Sequence, residues 1–156
     1  MEVEYVDIPV QYLPMVQKMV VHIAKHLRLD VGWDTLKVSS STKIKADALC
    51  WVNWEIHHAH IKLDAGILPI EAETYRALMH EFTHMVTWPW MEAIDHAVSH
   101  VRDAKQKRTV KRQMLKDYER VNNEFCRSLL NLVPWENHPT TEVPASNGET
   151  GIPAAL

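Results

Sequence analysis

Apolar residues recur at three- and four-residue steps over residues 13–29, at Met15, Val16, Met19, Val20, Ile23, Ala24 and Leu27. That period predicts an amphipathic helix, and Pro14 suits its first turn, where a missing N–H costs no intrahelical bond. From residue 35 to residue 65 the helical period disappears. Residues 35–40, 48–54 and 58–65 read instead as three short strands. In the last, Ala59, Ile61 and Leu63 alternate with His58, His60 and Lys62. One face of that strand therefore buries aliphatics while the other carries two histidines side by side.

Gly66 ends the strand, and Pro69 with Glu71 and Glu73 opens a second helix whose acidic first turn complements the helix dipole. The helix is expected to run to about Trp88, where Pro89 stops or kinks it. A helical pattern continues to about Leu132, with a break expected in the basic stretch 102–112. From Pro134 on, prolines and small polar residues replace any apolar period, which predicts an extended or disordered tail. The expected organisation is an α+β domain over residues 1–133, followed by a tail over residues 134–156. It contains an N-terminal helix, a small three-stranded sheet, then two or three helices.

Composition narrows the class. The 156 residues are 46% apolar and 24% charged, enough for one core. Two cysteines cannot form a disulfide framework, so Cys50 and Cys126 are expected to be buried thiols in a reducing cytoplasm. No run of about 18 apolar residues suggests a membrane span, and the acidic N-terminus lacks the apolar region of a secretory signal. A formal charge of −3 gives no general pull toward nucleic acid. Ten histidines stand out, and histidine is the commonest metal ligand.

His80-Glu81-Phe82-Thr83-His84 fits the HExxH pattern. Four residues are about 400° of helix, so His80 and His84 project from one face, a turn apart, and can share one Zn²⁺. Glu81 stands about 100° round, placed to take a proton from water activated by the metal and return it to a leaving amine. The flanking Leu78, Met79, Phe82, Met85 and Val86 predict a largely buried helix. Buried histidines and a glutamate cost several kcal/mol unless paired or ligated. His22 and His26, also one turn apart, lack a matching carboxylate and read as a surface or half-buried pair.

A catalytic zinc keeps three protein ligands and one open position. A third histidine six residues after the second is excluded, because position 90 is Trp90. The candidates are Glu119, the rival Glu124 on another helical face, and His96 or His100. Glu119 and Asn123 are one turn apart, so with Glu119 on the metal the Asn123 carbonyl can accept the N–H of a ligand histidine. His96, His100 or Tyr118 can alternatively donate to a developing oxyanion.

A strand ending Asp64-Ala65-Gly66, the HExxH helix, then Glu119, Asn123, Phe125, Leu129 and Leu130 in a Glu-x-x-x-Asn-x-Phe-x-x-x-Leu-Leu series resemble the small gluzincin-like zinc peptidases, in particular the ImmA/IrrE type of phages, mobile elements and bacteria. The resemblance spans residues 57–132 and is specific in two short blocks. It implies a minimal zincin-like fold, Zn²⁺ held by His80, His84 and Glu119, Glu81 as general base and acid, and a peptide or protein substrate. The linker between the blocks is long and basic, and no helix-turn-helix domain is evident, so a repressor-cleaving role is not implied. A completing histidine, as in SprT-like peptidases, comes with a His-Gly pairing absent here.

Two other classes fit the same residues. One is a catalytically inactive, zinc-stabilised binding protein of phage or mobile-element type. The other is a non-metal adaptor that binds a partner or nucleic acid through the basic stretch 102–112. That stretch can neutralise phosphates but carries no interleaved aromatic side chain for base stacking. Trp88, Trp90 and Trp135 flank the motif helix and the tail and suit packing or the wall of a cleft.

Overall fold

The computed structural model describes residues 1–135. Its elements follow the order β1 (Glu2–Val6), α1 (Leu13–His26), α2 (Leu29–Gly32), β2 (Thr35–Ser41), β3 (Ala48–Asn53), β4 (His58–Asp64), α3 (Glu71–Ser99) and α4 (Ala104–Leu132). The class is α+β, with a mixed sheet of four strands rather than three. The added strand, β1, has an alternating Glu-Val-Glu-Tyr-Val sequence too short to stand out. Parallel pairing with β2, more than 30 residues away, makes it a strand.

The sheet order is β1-β2-β4-β3. β2 is parallel to β1 and β4, whereas β3 returns antiparallel to β4 and forms an edge. The expected alternation in β4 is present: Ala59, Ile61 and Leu63 are buried while His58 and His60 lie on the other face. There the Ser39 hydroxyl and His60 Nε2 are 2.7 Å apart. His58 and His60 thus belong to the outer face of the sheet.

The core lies between the inner face of the sheet and the helices. Val16, Met19, Val20 and Ile23 of α1 meet Leu36, Val38, Ile61 and Leu63 of the strands and Leu78, Phe82 and Met85 of α3. Each such side chain, fully buried, stabilises the fold by about 1.5–3 kcal/mol. The His22 and His26 rings of α1 lie 4.4 Å apart, tilted by 48°, and the His26 Nδ1 approaches the His22 carbonyl.

α3 runs through Pro89 to Ser99, so the helix does not stop there. Pro89 cannot donate to the Met85 carbonyl, a loss that normally costs about 3 kcal/mol in a helix interior. Burial of the preceding stretch, from Thr74 to Thr87, and the 2.6 Å ion pair between Asp95 and Lys111 of α4 hold the helix on both sides of it. The break falls at residues 100–103, at the edge of the expected window, where the Asp103 carboxylate caps α4 by accepting the Gln106 N–H at 2.6 Å.

α4 packs along α3 with Tyr118, Asn122 and Cys126 buried at four-residue intervals. The Tyr75 hydroxyl donates to the Val133 carbonyl at 2.6 Å, and Trp135 stacks on Tyr75 with its indole N–H donating to Glu71. Trp135 is buried, so packing continues past residue 133 into the stretch expected to be tail. The rest of that stretch, 136–156, lies outside the described residues. Both cysteines are free thiols, Cys126 buried and Cys50 partly so.

Candidate metal centre

The first half of α3 is embedded between sheet and α4, and this embedding aims the motif. His80 and His84 face α4 one turn apart, with their Nε2 atoms 3.1 Å from each other. From α4, the Glu119 carboxylate places one oxygen 3.9 Å from His80 Nε2 and the other 3.8 Å from His84 Nε2. A tetrahedral ion with bonds of about 2.0–2.1 Å needs donors about 3.3 Å apart. These separations bracket that value, so a small closure of the Glu119 side chain completes three corners. The donor atoms of His80, Glu81 and His84 lie within 4.8 Å of one another, putting Glu81 beside that position.

His84 is oriented from behind. Its Nδ1 lies 3.0 Å from the Tyr118 hydroxyl, which lies 2.8 Å from Thr87 Oγ1. Thr87 in turn donates to the Thr83 carbonyl at 2.8 Å and approaches Asn122 Oδ1 at 3.1 Å. One direction satisfies the whole chain: His84 Nδ1–H to Tyr118, Tyr118 O–H to Thr87, Thr87 O–H to the backbone. That direction leaves the His84 Nε2 lone pair facing His80 and Glu119, as ligation requires.

Asn123 has a different place from the one expected. Its amide donates to its own helix at the Glu119 carbonyl, 2.8 Å away. Asn122, on the buried stripe with Tyr118 and Cys126, is the residue against His84, its amide nitrogen 3.4 Å from both ring nitrogens. The cause is angular: Glu119 sits one position round from the buried stripe, and Asn123 follows it to the cleft edge. A polar Asn122 in register with apolar neighbours was the signal to read. Tyr118 is engaged with His84 and Thr87. His96 and His100 meet edge to face, ring centroids 4.9 Å apart, on the exposed end of α3. Twelve residues of continuous helix separate His96 from His84 by about 18 Å, so neither reaches the group. Glu124 pairs with Arg127 at 2.9 Å instead.

Electrostatics follow from burial. Desolvation lowers the affinity of His80 for a proton, and desolvation with the neighbouring His80 pushes His84 down to about 4. Both rings are therefore neutral near pH 7, the form that binds metal. Glu81 is buried, and desolvation together with the Glu119 charge raises it to about 8; burial also raises Glu119. Desolvation, reinforced by the Glu81 charge, raises both cysteine thiols, Cys126 to about 11, so neither is a ready thiolate.

Two spaces meet at the group. A cleft of about 1320 Å³ runs between α4 and the wall made by the start of β3 and by α3. A smaller cavity of about 340 Å³ is lined by Leu49, Cys50, Trp88 and Met91. Both share Ala48, His80, Glu81 and Glu119. Trp88 thus borders the site, whereas Trp90 is exposed. Comparisons with protein-family models, curated proteins and solved structures give no match for this chain.

Proposed function

We propose that this protein is a zinc-dependent peptidase of minimal zincin-like type, with His80, His84 and Glu119 as the metal-holding residues. The observation that carries the proposal is the convergence of three donors, from two helices, on one position with Glu81 alongside. The donor set, two neutral imidazoles and a carboxylate, is one zinc takes readily in catalytic sites.

Zinc held there supplies Lewis acidity, which brings the pKa of water toward 7 and polarises a carbonyl. The chain's own residues do the rest. Glu81 takes a proton from the attacking water and passes it to the nitrogen leaving the cleaved bond. The Tyr118–Thr87 chain holds the His84 ring in place. Among the described residues β3 is an edge strand beside the cleft, to which an extended peptide adds by backbone hydrogen bonds. The cavity lined by Leu49, Trp88 and Met91 suits an apolar side chain next to the cleaved bond.

The test compares cleavage of a broad peptide library by wild type, wild type with chelator, and Glu81→Gln. Chelator-sensitive cleavage that falls by about 10²–10⁴ in Glu81→Gln, with zinc retained, is expected. Equal behaviour of wild type and Glu81→Gln contradicts the proposal and leaves a zinc-holding binding protein.

A further inference from the structure

The wall of the larger cleft contributed by α4 is rich in cations, and they divide into two sets. Four of the cleft's cations are held by carboxylates: Arg76 by Asp47, Lys111 by Asp95, Arg120 by Asp117 and Arg127 by Glu124. The other three, Arg108, Arg112 and Lys116, are exposed and have no ion pair among the described residues. They stand four residues apart on one face of α4, forming a row that points toward Glu119. At 1.5 Å per residue, Lys116, Arg112 and Arg108 lie about 4.5, 10.5 and 16.5 Å along the helix from Glu119. An extended peptide advances about 3.3 Å per residue, so the row spans the side chains of about five residues leading away from the metal centre.

We propose that the cleft binds peptide segments bearing acidic side chains, which Arg108, Arg112 and Lys116 engage on one side of the residue presented to His80, His84 and Glu119. The proposal rests on the peptidase reading for its purpose, while the binding itself is independent of hydrolysis. The rest of the cleft favours a peptide over a nucleic acid. The carboxylates of Asp47 and Glu119 interrupt the cations along the same walls, which suits a peptide carrying acids only opposite Arg108, Arg112 and Lys116 better than a backbone that carries a charge at every unit. Among the residues lining the cleft no Phe, Tyr or Trp offers a base a stacking platform.

The experiment measures fluorescence anisotropy of two labelled ten-residue peptides, one with aspartate at alternate positions and its asparagine counterpart, at low salt. The protein is full-length, zinc-loaded Glu81→Gln, alone and combined with Arg108→Gln, Arg112→Gln and Lys116→Gln. The aspartate peptide is expected to bind about tenfold more tightly, a preference that salt reduces and the triple substitution removes. Circular dichroism and zinc content should stay unchanged in the triple variant. Equal binding of the two peptides overturns the proposal, as does a preference that survives the triple substitution. A single-stranded oligonucleotide of equal charge that binds more tightly through the same three residues also overturns it, in favour of nucleic acid. Acidic preference in a protein that holds no zinc supports the groove and refutes the peptidase reading. Zinc-dependent cleavage without acidic preference refutes the groove alone.

Discussion

If His84 holds zinc as proposed, Tyr118 is the hydroxyl that sets its competence. In the tautomer that donates its Nδ1–H to this hydroxyl, His84 keeps its Nε2 lone pair toward Glu119. Tyr118→Phe keeps the packing and removes the acceptor, so zinc affinity should fall about 10–100-fold, read by competition with a chromophoric chelator. Unchanged affinity would show that packing alone orients the ring. The motif pair was legible in the sequence because helical spacing alone puts His80 and His84 on one face. The proximity of Glu119 to the pair matches the candidate named from sequence, although Asn123, which helped to name it, turns to its own helix. Asn122 was not legible there, because assigning its role needs the angle at which α4 meets α3, and no local pattern encodes that angle.

At the scale of elements, α3 and α4 hold the site between them, and their connection depends on one cap. The Asp103 carboxylate accepts the Gln106 N–H at the first turn of α4. Asp103→Ala should cost about 0.5–2 kcal/mol in urea unfolding, while Asp103→Asn should recover most of it. Equal stability of the alanine variant and wild type contradicts this role of the cap. β2, β3, β4 and the start of each long helix were legible from local signals, whereas α3 runs past the end expected near Trp88 to Ser99. β1 depends on a distant partner for its pairing, and the continuity of α3 through Pro89 depends on packing around it. Neither dependence leaves a local trace.

For the molecule as a whole, burial of the site makes stability depend on pH when metal is absent. Folding keeps a proton on Glu81 that the unfolded chain releases above about 4.5, so this contribution falls as pH rises to about 8. His84 acts oppositely, adding stability as pH rises from about 4 to its ordinary 6.5. The two offset each other up to about pH 6.5. Between pH 6.5 and 8 the Glu81 loss remains, worth up to about 2 kcal/mol. Urea unfolding in chelator should show that decline in wild type and a much flatter profile in Glu81→Gln. Equal slopes would rule out Glu81 as its source. Trp135, sealing the end of the core against Tyr75, should cost about 3 kcal/mol as Trp135→Ala in the same assay.

The measurement that bears most directly on the account is the zinc content of untagged protein after dialysis, set against His80→Ala, His84→Ala and Glu119→Gln. The account predicts about one zinc per chain in wild type and in Glu81→Gln, with strong loss in each of the three ligand variants. A wild type free of zinc, or zinc retained in all three variants, would contradict it.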